Sequence, residues 1–340
     1  MHGMAHRARF PRTLLIIIIV AGSLLPAFAV SCEPKSQPKQ TITIGWSPFE
    51  TATLLWIAED QKFFPDNGIN VVYRKYDTGA ASLNGMLDGE ADIAVGMTEF
   101  PMVKKALDNS AARIVATIAK VEQQYLVTRK DRGIEKPKDL KGKTIGTTFG
   151  TAAEFYLGRY LELNSIPLKD ITEVDLKTPA EWESAVADGI VDAIVTAQPY
   201  ADLASKRLGS NAVVWPVQSG QYVYGLAVCS ADWAEKNPEI AANFIKSLER
   251  AGDYAIKHPT ESKAILQRQL NMDAQYTESS WSRSQFQVLL DQSLIAAMED
   301  EARWMISNNL TNVKQMPDFT DFIYTDALKA VKPDAVNVIR

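Results

Sequence analysis

Asp88-Gly89-Glu90-Ala91-Asp92-Ile93-Ala94-Val95-Gly96-Met97 returns one hundred residues later as Asp188-Gly189-Ile190-Val191-Asp192-Ala193-Ile194-Val195-Thr196-Ala197. In each copy a helical pattern ends, turns on glycine and enters an apolar strand, because glycine takes the positive φ that closes a helix at no steric cost. Each copy has a matching start upstream, Thr43-Ile44-Gly45 and Thr144-Ile145-Gly146. A repeat this long is no solenoid period; it predicts two similar lobes. Working outward, residues 41–46, 69–76, 92–97 and 113–120 read as strands, with helix-length segments at 53–64 and 80–88. A further strand follows at 124–128. Strands alternating with helices imply a parallel-rich sheet flanked by helices. Residues 218–230 read as one more strand, and beyond Asn237-Pro238 the pattern turns helical at 239–258, 260–270 and 283–305. The fold class is therefore α/β: two lobes and a helical C-terminal tail. The boundaries are 41–122 for lobe 1, completed by about 227–340, and 123–226 for lobe 2. Two extended crossings, near 121–128 and 220–227, would form a hinge.

Residues 1–31 have the form of an export signal: Arg7, Arg9 and Arg12 precede an apolar run over 14–25, too short to span a bilayer comfortably. Ala29-Val30-Ser31-Cys32 resembles a bacterial lipobox, which makes Cys32 the candidate lipidation site; the alternative is ordinary cleavage after Ala29. Residues 32–40 are polar, carry two prolines and suit a tether. Multiple acyl chains on Cys32 would hold the protein at a membrane surface.

The 340 residues are 46% hydrophobic, 9% aromatic and 23% charged, which describes a well-cored chain of about two domains. Without the leader the chain holds 33 basic and 41 acidic residues, a net charge of −8, so nucleic acid is a poor partner. His2 and His6 lie in the leader, leaving His258 and Cys229 in the body. A Cys/His zinc cage, a serine or cysteine triad and an iron–sulfur site all lack parts. We therefore expect no metal, no cofactor, no catalytic residues and a binding function.

In open parallel α/β sheets, ligands sit beyond the carboxyl ends of the strands. The loops at those ends are 47–50, 77–80, 98–100, 147–151 and 196–200. They supply the candidate ligand-binding residues Ser47, Phe49, Glu50, Thr78, Gly79, Thr98, Glu99, Phe149, Gly150, Thr151, Gln198 and Tyr200, with Tyr222 added from the returning strand. Hydroxyls, glycines and aromatic rings dominate, and helix starts offer unpaired N–H groups. Structural roles compete at several positions. Thr151 with Glu154, and Thr178 with Glu181, fit capping boxes. Thr78 could only cap, Phe49, Phe100 and Phe149 could enter cores, and Asp92 and Asp192 suit strand-start turns. Cys229 suits a buried strand thiol. The five loops contain Glu50, Asp77 and Glu99 but no lysine or arginine, which favours a neutral or amine-bearing ligand unless Lys120 or Arg129 reaches the cleft.

Ile42-Thr43-Ile44-Gly45-Trp46, Leu87-Asp88-Gly89-Glu90-Ala91-Asp92, Asp139-Leu140-Lys141-Gly142-Lys143-Thr144-Ile145-Gly146 and Asp188-Gly189-Ile190-Val191-Asp192-Ala193 resemble the substrate-binding proteins of ABC importers in the nitrate, sulfonate and taurine (NMT1/THI5-like) group. The resemblance covers roughly 41–237 and extends loosely to the tail. It implies the type II periplasmic binding protein fold, with two hinged lobes closing on a sulfonate, nitrate, taurine-like or thiamine-precursor-like molecule. It also implies a monomer that docks on an importer permease outside the cytoplasm, periplasmic or at the cell surface. A receptor module for a membrane sensor and, third, an enzyme on the same fold are the alternatives; fungal synthase relatives in the group need histidine and a cysteine cluster that this chain lacks.

Overall fold

The computed structural model describes residues 39–339; the expected export leader, the expected lipidation site Cys32 and most of the expected tether lie outside the described residues. Ten strands build the two main sheets. They are β1 Gln40–Trp46, β2 Ile69–Lys75, β3 Ile93–Met97, β4 Ala112–Val121, β5 Gln124–Arg129, β6 Thr144–Thr147, β7 Thr172–Asp175, β8 Ala193–Ala197, β9 Ala212–Pro216 and β10 Val223–Ser230. Helices of eight residues or more are α1 Thr53–Asp60, α2 Gly79–Leu87, α3 Glu99–Leu107, α4 Ala152–Leu163, α5 Tyr200–Leu208, α6 Pro238–Lys257, α7 Pro259–Leu270, α8 Ala274–Trp281 and α9 Gln292–Ser307. None of the helices in the described residues is long and apolar enough to cross a membrane.

The two sheets have the same plan, β2-β1-β3-β10-β4 and β7-β6-β8-β5-β9. In the first, β10 runs antiparallel between β3 and β4. In the second, β5 runs antiparallel between β8 and β9. The remaining pairs are parallel. Strands β3 and β8 are buried at every position, which explains their uninterrupted apolar runs. The sequence repeat has a physical cause. Gly89 and Gly189 take φ of 79° and 78° at the turns. Asp92 and Asp192 then accept, through Oδ2, the N–H groups of Thr43 at 2.7 Å and Thr144 at 3.0 Å. Each aspartate N–H returns a 2.8 Å bond to the same threonine's carbonyl. Each copy thus pins the start of its first strand to the start of its third.

The chain passes from β4 to β5 through Glu122-Gln123 and returns from β9 to β10 through residues 217–222. The buried side chain of Gln218 ties these crossings together. Its Oε1 accepts the N–H groups of Gln123 at 2.6 Å and Gln124 at 2.8 Å, while its Nε2 donates to the carbonyls of Val121 at 3.0 Å and Gln221 at 2.8 Å.

The tail departs from expectation in two places. A helix over 283–305 is expected, but α9 begins only at Gln292. Residues 285–289 lie beside β4, where Lys120 and Thr117 donate N–H groups to the carbonyls of Gln285 and Leu289, both at 2.8 Å. Phe286 and Val288 are buried while Gln285 and Gln287 are exposed, and that period of two belongs to extended chain. Helix α8, unforeseen, starts where Asp273 Oδ1 accepts the N–H groups of Gln275 and Tyr276. Likewise the helix expected over 53–64 stops at Asp60, and Lys62 takes φ of 58° before a short turn over Phe63–Asp66.

Candidate ligand site

A cavity of about 50 Å³ lies where the carboxyl ends of the two sheets face one another. Ser47 and Phe49 follow β1, Thr78 and Gly79 follow β2, and Gly96 and Thr98 close β3. Across from them stand Thr148 and Thr151 after β6, Thr196 and Ala197 at the end of β8, and Trp182. Gln123 and Gln124 line it at the first crossing. No lysine, arginine, histidine, aspartate or glutamate is among the lining residues.

The first turns of α2 and α4 form part of the wall through Thr78, Gly79 and Ala80 and through Thr151, Ala152 and Ala153. Thr78 Oγ1 accepts the Ala81 N–H at 3.0 Å and Thr151 Oγ1 that of Ala153 at 3.3 Å. Both threonines therefore cap as well as line. The box expected of Thr151 and Glu154 does not form, because Glu154 accepts the Gly150 N–H at 2.5 Å, one residue before the cap, and Thr151 the Ala153 N–H; Thr178 with Glu181 forms the expected box. Gly79 is required by close approach: a Cβ there would stand 2.9 Å from Met97 Cα. Ser47 Oγ, Gln123 Oε1 and Gln124 Oε1 are buried without a hydrogen-bond partner among the described residues. A buried polar atom left unpaired costs about 1–3 kcal/mol, so these atoms await a ligand or water. Phe49 and Trp182 make the aromatic side, with Tyr200 behind them; Trp182 is centred 4.9 Å from Tyr200 and 6.4 Å from Phe49. Trp182 is held by a 2.9 Å bond from its Nε1 to the Leu176 carbonyl.

Six of the expected residues meet here: Ser47, Phe49, Thr78, Gly79, Thr98 and Thr151. The others are placed elsewhere. Glu50 is fully buried away from the cavity, its carboxylate accepting hydroxyls of Tyr276 at 2.9 Å, Ser284 at 2.8 Å and Ser280 at 3.4 Å. Burial raises its pKa against the lowering effect of those donors. Glu99 turns to the opposite side of α3, where it accepts the Tyr224 N–H at 2.9 Å. Phe149 is 44% exposed, and Gly150 is spent on the turn at φ 76° with its N–H on Glu154. Gln198 is buried and paired with Asp202 through both ends of its amide. Tyr200 stands behind Phe49 and Trp182, and Tyr222 lines a different cavity with Glu99. Asp77 is exposed and does not line the site. Lys120 binds Asp291 and Ser293, and Arg129 binds Asp131 and the carbonyls of Val186 and Ala187, so neither enters it. Sequence reading missed Gly96, Gln123, Gln124 and Trp182. The two glutamines lie inside the first expected crossing, and Trp182 lies in the helix opened by the Thr178 capping box, so position alone could have suggested them.

The only cysteine among the described residues, Cys229, is a buried thiol on β10, and burial pushes its pKa up to about 12. Glu99 supplies a pH prediction. Burial, the largest influence, pushes its carboxyl up to about 8, opposed by its own N–H and that of Tyr224. The folded chain holds this proton more tightly than the unfolded one. The stabilisation is therefore complete below about pH 4.5 and lost as pH rises through about 8. Chemical denaturation across that window should show stability falling with pH, and Glu99→Gln should flatten the slope. An unchanged slope in the variant would refute the assignment.

A family model described as NMT1/THI5 like matches residues 50–262. A Bacillus subtilis (strain 168) protein named for binding aliphatic sulfonates is 21% identical over 292 residues, covering 84% of this chain and 88% of its own. The structure of the alkanesulfonate-binding protein SsuA from Xanthomonas axonopodis pv. citri bound to MOPS superposes with a TM-score of 0.71 at 17% identity, covering 84% of this chain and 98% of that one. The desulfurization enzyme DszB shares the fold as well, with a TM-score of 0.66 at 15% identity over 86% of this chain and 98% of the other.

Proposed function

Because the chain belongs to the NMT1/THI5-like family, we propose that it is an exported solute-binding protein that captures a small organosulfonate and hands it to an ABC importer. The observation carrying this reading is an uncharged cavity walled by the first turns of α2 and α4, with the Ser47 hydroxyl, which can donate to an anion, buried and unpartnered. Helix N-termini offer N–H groups and a positive dipole end, worth up to about 2 kcal/mol each when partly buried, and so can hold an anion without lysine or arginine. Glu50, Asp77 and Glu99, which argued from sequence for a neutral or cationic ligand, stand outside the cavity. Its volume of about 50 Å³ suits a small polar head such as a sulfonate, with Phe49 and Trp182 in the wall for the carbon chain. Lobes joined by two crossings close on the ligand because it touches both, and only its differential affinity shifts the balance. Import, a lipid anchor at Cys32, a monomeric state and placement outside the cytoplasm complete the proposal. A binding role without chemistry fits the burial of Cys229 and a cavity lining that includes neither Cys229 nor His258.

Thermal unfolding with taurine, ethanesulfonate, nitrate and cytosine tests it. A sulfonate at a hundred times its dissociation constant should add about 2.7 kcal/mol of stability. Stabilisation by cytosine alone, or by none of the sulfonates, would overturn the reading.

A further inference from the structure

A second cavity, of about 490 Å³, opens between α3, α4, β10 and α9. Two glutamates line it, Glu99 at the start of α3 and Glu301 on α9, with 0% and 1% of their surface exposed. One oxygen of Glu99 accepts the Tyr224 N–H. Its Oε1 and both carboxylate oxygens of Glu301 have no partner among the described residues. Three unsatisfied carboxylate oxygens in one buried place are costly, because each has given up water without gaining a donor. The neighbours do not answer them. Asp300 adds a further acid, and Arg159 lines the cavity with Nη1 on Glu162 at 3.3 Å and its Nε buried without a partner among the described residues. Lys120 lies over the Tyr224 ring, 5.1 Å from its centre, with its ammonium given to Asp291 at 2.8 Å.

We infer that this cavity is a second ligand site, one that takes an organic ammonium ion between Glu99 and Glu301. An ammonium brings positive charge and several N–H donors to two carboxyls whose ionised form burial disfavours. Tyr156 and Tyr224 line the same cavity, and the Tyr224 ring already carries the Lys120 ammonium over one face. The volume leaves room for a carbon chain beyond the nitrogen, and among the described residues no group of three or more His, Cys, Asp or Glu side chains is placed to hold a metal ion. Burial raises the pKa of both carboxyls, as expected of acids lacking a counter-charge. The site is distinct from the first cavity: Thr98 faces one and Glu99 the other, across the first turn of α3.

Titration calorimetry of the full chain with ethylammonium chloride at constant ionic strength tests this, with sodium and tetramethylammonium chloride as parallel arms. The expected result is a saturable isotherm for ethylammonium that neither other cation reproduces, weakened at least tenfold in Glu99→Gln and in Glu301→Gln. Absence of saturation, an equal response to either other cation, or smaller losses in both variants would overturn the proposal. Should either variant fail to fold, amide chemical shifts of the wild-type chain decide. Ethylammonium-dependent shifts centred on residues 99, 156, 224 and 301 support the site, and shifts elsewhere or none reject it.

Discussion

Gln218→Leu is expected to lower the free energy of unfolding by about 4 kcal/mol, near the upper end for a single substitution. The wild-type amide makes four hydrogen bonds, two to N–H groups of the outgoing crossing and two to carbonyls on either side of it. A typical buried hydrogen bond contributes about 1 kcal/mol net, but removing its partner leaves the backbone group unsatisfied, which costs about 1–3 kcal/mol each. Leucine keeps the volume and supplies none of the bonds, so water admitted to the crossing must recover part of the loss. Gln123 and Gln124 also line the ligand cavity, so their displacement should weaken ligand binding in the same variant. Denaturant titration with an unchanged m value and a loss under about 1 kcal/mol would show that the crossings do not depend on this amide.

Trp182→Ala should cost about 3–5 kcal/mol, the usual range for emptying a buried aromatic site. Trp182 is 3% exposed and contacts both Phe49 and Tyr200. Its loss leaves the Leu176 carbonyl with only the Thr148 hydroxyl as a side-chain donor, at 2.8 Å, and gives Phe49 freedom to leave the cavity wall. Ligand affinity should therefore fall together with stability. Trp182→Phe separates the two effects. It restores most of the ring contact but not the N–H, so about 1 kcal/mol of the loss should remain while affinity largely returns. If the alanine variant binds sulfonates as the wild type does, the aromatic side plays no part in recognition.

How much could be read in advance depended on the range of the interaction involved. The Asp88-Gly89 and Asp188-Gly189 turns, the capping threonines 78, 151 and 178, and the two-copy alternation of strand and helix were legible because each rests on residues close in sequence or on a repeated pattern; the strands at 172–175 and 212–216 were not. The cavity residues legible in advance were those immediately following strands. Glu50 and Glu99 misled because nothing local determines where a buried carboxylate turns. Glu50 is claimed by Tyr276, Ser280 and Ser284, more than two hundred positions away, and Glu99 by the backbone of Tyr224. Spacing carries no trace of such partners. The same limit hid α8, which carries Tyr276 and Ser280, two of those partners, and the extended stretch before α9, whose alternation spans only Phe286 to Val288.

The placement of β10 bears on the order in which the chain can be finished. Its position between β3 and β4 means that those two strands have no hydrogen bonds to each other. A growing polypeptide therefore releases β4, then the whole of the second sheet from β5 to β9, before the strand that unites the first sheet exists. The second sheet has all its strands by residue 216 and can mature as a unit, whereas the earlier-made half must wait with open edges. A truncation ending before Val223 should accordingly leave the N-terminal strands sensitive to protease while residues 124–216 resist it, a reversal of the usual first-made, first-folded sequence.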